Sequence, residues 1–277
     1  MGDLSGDPVF TIANVVNYRF NADIEQQIFD AGLYLISMCA PGCGRTDPAP
    51  KQANRLDYLS DDANAVLDQL GIASCPMMAY NASSPVCYAV ASRSPERINH
   101  LIHLAAVAPI RFLHSDETIS PWVSGILRAG KNHPAMKRVL FLGAMKAWAM
   151  MGARQFLRLQ ISSNSADSKY TLRPENMREF EHALKTATQN GIAYAAEDLS
   201  LTFEDWFSDV EDFPFKITAM HGVQDELVNI QMIRNFSAAL PDKIELIEIT
   251  DCGFSMVLSH TDEVISLLRK VIETYQH

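Results

Sequence analysis

Short apolar runs alternate with amphipathic helical patterns in both the first and the last part of the chain. The apolar runs predict strands at residues 9–13, 33–38, 77–80, 98–107, 215–220 and 244–249. Between them, apolar residues recur three or four positions apart, as on one helix face, over residues 21–32, 56–70, 86–92, 230–240 and 264–275. Strands that alternate with helices form parallel sheets through right-handed crossovers. We therefore predict an α/β fold with a mostly parallel, doubly wound sheet.

The middle of the chain lacks the strand pattern. One helix face is predicted from Met145, Trp148, Ala149, Gly152, Phe156 and Leu159. A second is predicted from Met177, Phe180, Leu184 and Ala187, after Pro174 at the helix start. We interpret residues 111–212 as a helical cap inserted into a core formed by residues 1–110 and 213–277, all within one structural domain.

The stretch from Pro76 to Pro85 predicts a strand, a tight turn and a helix in immediate succession. Asn81 stands at the turn, between the small residues Ala79 and Ser83. Asparagine is one of the few non-glycine residues that tolerate a positive φ, so the sequence predicts a sharp turn with its apex at Asn81.

Composition narrows the classes of function. The chain has 277 residues, 48% of them apolar, and a net charge of −10. This charge disfavours direct contact with nucleic acid, whose phosphates require a basic surface. The absence of an apolar stretch of about 18 residues and of a basic N-terminal leader predicts a cytoplasmic protein with no membrane partner. The five cysteines lack metal-ligand spacing, so we expect neither a metal nor a cofactor.

Five stretches, in order along the chain, resemble the α/β-hydrolase family. The turn at 79–83 is similar to the family's Gly-x-Ser-x-Gly nucleophile elbow. Residues 40–48 resemble the family's Pro-Gly-x-Gly turn, and residues 94–98 resemble its Pro-Glu-Arg loop. Residues 221–225 resemble the His-Gly-x-x-Asp turn that carries the acid, and residues 251–254 resemble the Gly-His position of the base. The resemblance implies an α/β-hydrolase type of sheet whose usual N-terminal strand hairpin is missing, because the first strand begins at Val9.

The catalytic residues do not carry over. In a serine hydrolase the hydroxyl attacks, an imidazole takes its proton and a carboxylate orients the imidazole. Here Asn81 stands for the serine and Phe254 for the histidine, so that Asp225 alone of the triad remains. Asn14 also replaces the glycine expected beside the oxyanion. The resemblance therefore implies a hydrolase fold with no expected catalytic residue.

Alternatives to this interpretation remain open. Ser83 or His260 could restore catalysis, although Ser83 and Ser84 are also expected to cap the following helix. Asp225 is expected to form a turn, with ligand binding as the alternative. A histidine within hydrogen-bond reach of a serine or of Asp225 would favour an active enzyme.

Because the family's cap covers the elbow, some cap side chains are expected to line a pocket. The candidate ligand-binding residues are Asn14, Asn81, Ala82, Trp148, Asp225 and Phe254. The expected ligand is small and apolar or ester-like.

The ending with glycine and an aromatic residue, together with the short front, is similar to the hydrolase-like domain of LuxR-type helix-turn-helix transcriptional regulators. This resemblance implies a ligand-sensing or regulatory module, with a homodimer as a possible assembly. The alternative is a hydrolase or lyase that acts on a small ester or amide through a rearranged site.

Overall fold

A single parallel sheet organises the molecule in the computed structural model, which describes residues 1–13, 19–50, 55–113, 134–163 and 165–275. The strands are β1 (Asp7–Ala13), β2 (Leu33–Cys39), β3 (Cys75–Tyr80), β4 (Ile98–Leu104), β5 (Ile217–Gly222) and β6 (Ile244–Ile249). Their order is β2-β1-β3-β4-β5-β6, and every neighbouring pair is parallel. The chain winds outward from β1 to β2 and then returns to β3, so the direction of winding reverses between β1 and β3. Ligands of such sheets bind at this reversal, beyond the carboxyl ends of the strands.

Helices cover both faces of the sheet, as a doubly wound fold requires. In the first part of the chain they are α1 (Ala22–Asp30), α2 (Arg55–Gln69) and α3 (Ser84–Arg93). The middle of the chain contains α4 (Pro134–Met151), α5 (Ala153–Gln160), α6 (Ala166–Thr171), α7 (Pro174–Ala187), α8 (Ile192–Leu201) and α9 (Phe207–Glu211). The last part contains α10 (Ile230–Ala239), α11 (Met256–Ser259) and α12 (Thr261–Tyr275).

The core has one layer on each face of the sheet. Helices α2, α3 and α10 contribute buried residues to one layer, and α1 and α12 contribute to the other. The strands are buried on both faces, which explains their almost continuous apolar sequences. Asn21 caps α1, because its side chain accepts a hydrogen bond from the Ile24 N–H at 3.1 Å.

Several predicted boundaries move. Strand β4 ends at Leu104 instead of Val107, because Ala105 adopts a positive φ of 40°. Before β1, residue Gly2 forms only an isolated antiparallel bridge with Tyr34, and residues 1–6 contain no hairpin. No described helix is long and apolar enough to cross a membrane.

The predicted helix face around Gly152 is wrong. Gly152 has a φ of 88° and separates α4 from α5, so the residues on its two sides do not form one continuous face. Met145 and Trp148 are buried as predicted, whereas Ala149 and Leu159 are exposed. The face of α7 is correct, with Met177, Leu184 and Ala187 buried and Phe180 partly buried.

The described residues between 111 and 212 contain helices and turns but no strand. We refer to α4–α9 as the helical block; its delimitation as a cap of residues 111–212 stays a prediction. A buried ion pair joins the block to the sheet domain, since Arg55 of α2 donates to the Asp198 carboxylate of α8. Nearby, Asn190 donates to Gly44 O at 3.0 Å. These contacts fix the block beside the loop that follows β2.

Removal of one partner from the Arg55–Asp198 pair should strongly destabilise the protein. Arg55→Ala leaves a carboxylate buried without its cation, and we expect the free energy of unfolding to fall by about 3–5 kcal/mol. Arg138→Ala is the matched control, since Arg138 pairs with Glu197 of the same helix but its side chain is 66% exposed; a loss below about 1 kcal/mol is expected. Denaturant titration of both variants measures the difference, and equal losses would contradict the role assigned to the buried pair.

Candidate ligand site at the strand–turn–helix elbow

The elbow has the predicted geometry. Strand β3 ends at Tyr80, Asn81 has a φ of 50°, and a short 3₁₀ turn, Asn81–Ser83, leads into α3. Ala79 and Ser83 are both fully buried, as expected where a strand and a helix approach closely. The carboxamide of Asn81 therefore stands at the carboxyl edge of the sheet, near the reversal of winding.

The two serines of the elbow do not cap α3, contrary to expectation. The Ser83 hydroxyl donates to Tyr80 O and accepts from Tyr80 N–H, each at 2.9 Å. Ser84 Oγ donates to Asn81 O at 2.9 Å. The hydroxyls bond backward because the turn brings the end of β3 within their reach. Ser83 is thus held within the elbow and is not presented to a substrate.

Tyr80 links the apex of the elbow to the position where the family's base is expected. Its hydroxyl lies 3.4 Å from Phe254 O. Burial raises the pKa of the Tyr80 phenol well above its usual value, and a hydrogen bond from the Asn81 side chain opposes the rise. The phenol therefore stays neutral and acts as a structural bridge between residues 81 and 254.

Phe254 lies in the loop between β6 and α11, and its side chain packs into the apolar cluster of the helical block with Trp148, Leu157 and Leu184. The loop is held from the block side, because Ser255 N–H donates to Asp167 Oδ1 of α6 at 2.7 Å. A Cβ atom at position 253 would overlap the Asp167 carboxylate, so Gly253 permits the approach. The Phe254 side chain thus has apolar neighbours, and the backbone on either side of it is held close to the Asp167 carboxylate.

Asp167 is fully buried, and its Oδ2 atom has no hydrogen-bond donor among the described residues. Burial raises the pKa of Asp167 to about 6; hydrogen bonding from Ser255 opposes this rise, and the negative charge of Asp225 adds to it. Sequence reasoning missed this residue. A lone aspartate in a polar segment carries no signal for burial against a loop nearly 90 positions away.

Asp225 acts in its own loop, as predicted for a turn-former. Its Oδ1 atom accepts from Leu227 N–H and Val228 N–H, each at 2.8 Å. His221 Nε2 lies 3.3 Å from Oδ2 but bonds to Val228 O at 2.9 Å. Both side chains are fully buried and neither residue lines the cavity described below, so Asp225 does not take the predicted place of a ligand contact.

Among the described residues, two histidine pairs are of the kind expected to favour an enzyme. Besides His221 and Asp225, the Ser259 hydroxyl lies 2.8 Å from His260 Nδ1. Ser259 also donates to Ser255 O at 3.2 Å, and this pair lies at the end of α11, outside the cavity. Neither pair places an imidazole beside Asn81.

A cavity of about 200 Å³ lies between the helical block and the carboxyl edge of the sheet. Four predicted ligand residues line it, namely Asn81, Ala82, Trp148 and Phe254. The fifth, Asp225, does not, and Asn14 lies outside the described residues. The remaining wall is mostly aliphatic and aromatic, including Phe20, Tyr80, Val107, Phe156, Leu157, Phe180, Leu199, Phe203, Leu227, Met232 and Leu258.

Polar side chains occupy a minority of the wall. Arg19 and Glu179 lie 4.0 Å apart, and with Gln160 they contribute to the lining. Thr202, at the end of α8, donates to Ala82 O at 3.3 Å, which fixes the helical block to the elbow itself. The arrangement can enclose a small apolar molecule with Asn81 as a hydrogen-bonding group at the elbow.

Comparison with known proteins identifies the same arrangement of elements. A protein-family model described as alpha/beta hydrolase fold matches residues 35–261. MenH from S. aureus superposes with a TM-score of 0.69 at 13% identity, over 99% of this chain and 96% of that one. An esterase, EaEST, from Exiguobacterium antarcticum gives 0.63 at 16% identity, over 99% and 93%. The Bacillus megaterium epoxide hydrolase gives 0.63 at 15% identity, over 98% and 94%. At these identities the likeness shows the fold alone, and no curated protein matches the chain in sequence.

The buried carboxyl of Asp167 should make stability depend on pH. Since its folded-state pKa is raised to about 6, the folded protein binds the proton more tightly than the unfolded chain, and stability falls as pH rises from about 4 to about 6. The Asp167→Asn variant keeps the acceptor for Ser255 N–H and removes the charge. We expect it to be more stable than the wild type at pH 7.5, by at most about 3 kcal/mol.

Thermal melts between pH 4 and pH 8 measure this difference. Asp251→Asn controls for the loss of one negative charge, because Asp251 is exposed on the loop that carries Phe254 and Ser255. Parallel curves for the wild type and Asp167→Asn across this range would refute the assignment.

Proposed function

Because the chain belongs to the α/β-hydrolase fold family, we propose that it is a non-hydrolytic member that binds a small apolar or ester-like ligand beneath its helical block and serves as a ligand-sensing module. One observation carries the proposal: the elbow and its cavity are kept, while the two positions that need a nucleophile and a base hold Asn81 and Phe254. The fold provides a covered site without the groups that make the family's site hydrolytic.

The absence of hydrolysis follows from geometry as well as from residue type. A carboxamide at the apex cannot attack a carbonyl as an alkoxide does. Ser83 is already bonded twice to Tyr80 within the elbow. The surroundings of Phe254 are packed for an apolar ring and for the Asp167 contact with Ser255. Members of a triad act as a unit, so the loss of two removes the pathway and not only part of its rate.

Ligand binding is supported by what remains. A volume of about 200 Å³ is below the range of about 300–1,000 Å³ for sites of drug-sized ligands, which limits the ligand to a small molecule. The apolar wall favours burial of hydrocarbon, and Asn81 offers both a donor and an acceptor. A neutral compound with one polar end fits these features.

A regulatory role, as in a LuxR-type regulator, is part of this proposal and rests on the resemblance in sequence at the loop that ends in Phe254. The proposed signal is the order that a ligand imposes on the helical block, which supplies several of the cavity's side chains. Cytoplasmic localisation and a homodimer belong to the same proposal.

A rearranged hydrolase is the second candidate, and the pair of His221 and Asp225 at 3.3 Å favours it. An imidazole beside a carboxylate is the base half of a triad. For this candidate to act, the loop after β5 would have to open, because both side chains are fully buried. Turnover should then depend on His221.

Two assays on purified protein separate these functions. We expect no hydrolysis of p-nitrophenyl butyrate above a heat-treated control. We also expect saturable binding of the apolar fluorophore 1-aminoanthracene. Ala82→Met fills the cavity at the elbow and should weaken the binding of this probe by at least about tenfold, since it removes space that the ligand needs. Ala147→Met, the same change on the exposed side of α4, should leave it unchanged.

Two outcomes would contradict the proposal. Turnover that survives repurification and is lost in His221→Asn or Asp225→Asn would establish the hydrolase instead. Probe binding that is equal in Ala82→Met and Ala147→Met would place the ligand outside the cavity.

The double change Asn81→Ser with Phe254→His should restore little or no hydrolysis, although it restores the residue types of the triad. The introduced imidazole meets apolar neighbours, and Asp225 stays bonded to Leu227 and Val228. A misplacement of about 1 Å costs on the order of a hundredfold in rate. Esterase assays and thermal melts test this directly; rates near about 1 per second would show that the site has kept its preorganisation.

A further inference from the structure

We propose that the outer face of α4 is an attachment surface for an anionic lipid membrane. We define this face by Met136, Val139, Leu142, Lys146 and Met150, which recur three or four positions apart and so lie on one side of the helix. The exposed fractions of the apolar members are 49% for Met136, 63% for Val139, 43% for Leu142 and 81% for Met150.

The opposite side of α4 is buried against the protein, through Phe141, Met145 and Trp148. Apolar side chains therefore lie on both the buried and the exposed side of α4, whereas a surface helix usually exposes a polar face. Exposed apolar side chains that are grouped on one face, and not scattered singly, are typical of an interaction site. Its side chains project outward from a helix instead of lining a groove, which suits insertion into a soft surface.

The charged residues of α4 and α5 themselves have one sign. Residues 134–160 contain five basic and no acidic residues, in a chain whose net charge is −10. Lys137 is paired with Glu204 and Arg138 with Glu197, each at 3.0 Å. Lys146, Arg154 and Arg158 have no carboxylate within ion-pair distance among the described residues. Apolar residues flanked by unpaired cations are typical of helices that lie in a lipid interface.

This charge pattern decides between occupants. In a symmetric dimer the same patch faces itself, so Lys146 would approach Lys146 with no acidic residue from 134–160 to offset the repulsion. An acidic protein would satisfy the cations, but the protruding methionines at positions 136, 150 and 151 offer it no pocket. A lipid surface accepts both features, since acyl chains bury the methionines while the basic side chains reach the headgroups.

Helices α4 and α5 also border the ligand cavity. Trp148 of α4 and Phe156 and Leu157 of α5 line it from within, while Met150 and Leu159 are exposed on the outside, at 81% and 68%. Apolar compounds concentrate in membranes, so attachment through α4 would bring the cavity close to such compounds. The attachment itself does not depend on the proposed ligand function. The proposed attachment differs from the sequence-based expectation of no membrane partner, because that expectation considered only membrane-spanning segments and N-terminal leaders.

Vesicle binding tests the proposal with the full chain. We expect the protein to sediment with vesicles of equimolar phosphatidylglycerol and phosphatidylcholine, and to bind vesicles of phosphatidylcholine alone at least about tenfold more weakly. Higher ionic strength should reduce the difference. Val139→Glu with Met150→Glu should abolish binding to both kinds of vesicle, and Lys146→Glu should weaken binding to the anionic vesicles selectively.

The matched control is Phe29→Glu with Leu70→Glu, which changes apolar side chains that are 50% and 43% exposed away from α4. Circular dichroism and thermal melts verify that each variant is folded. Absence of vesicle binding, or an equal loss in the control, would overturn the proposal. If the protein is retained on polyglutamate and Met150→Glu does not change this retention, the face binds an acidic polymer. If the protein sediments as a dimer that Val139→Glu disrupts, the face binds a second copy of the chain. Either result also overturns the membrane proposal.

Discussion

The left-handed backbone at Asn81 is the constraint on which the site depends. Strand β3 lies in the middle of the sheet, and the chain must reverse at its end to pack α3 against the same strand. A positive φ makes this reversal possible in one residue, and the fully buried Ala79 and Ser83 leave room for the close approach. None of this requires a nucleophile. The geometry that presents a side chain at the sheet edge is therefore separable from the chemistry of that side chain, and here it presents a carboxamide.

The position of the family's base shows how closely fold and chemistry are coupled elsewhere. Phe254 is one member of a set of contacts that includes its carbonyl with Tyr80, Asp167 with Ser255, and Gly253 beneath the Asp167 carboxylate. Asp225 is held by two N–H groups of its own loop. Burial is the main cause of the raised pKa of Asp167, and the negative charge of Asp225 adds to the rise. The loop that carries Phe254 is thus part of a packed interface between the helical block and the sheet.

The helical block has contrasting inner and outer surfaces. Its inner side is fixed to the sheet domain by Arg55 with Asp198 and by Thr202 with Ala82, and it encloses the cavity. Its outer side, on α4, exposes methionines and Lys146, which has no carboxylate partner among the described residues. The inner contacts make the cavity a shared property of block and elbow, so a ligand would act on both. The membrane attachment proposed for the outer face would depend on other side chains than ligand binding in the cavity does.

The sequence by itself determined the elements and the elbow. Strands buried on both faces give continuous apolar runs, helix faces give regular spacing, and a positive φ limits the residue types at the apex, so these features are local and can be recognised one segment at a time. Four cavity residues, Asn81, Ala82, Trp148 and Phe254, were also predicted, because the resemblance placed the block over the elbow. Tertiary structure decided the rest. The break at Gly152 reversed the exposure of Leu159, Ser83 bonded backward to Tyr80, and Asp225 turned away from the cavity. Asp167 and its contact with Ser255 had no local signal, since the burial of a charge depends on what distant segments bring beside it.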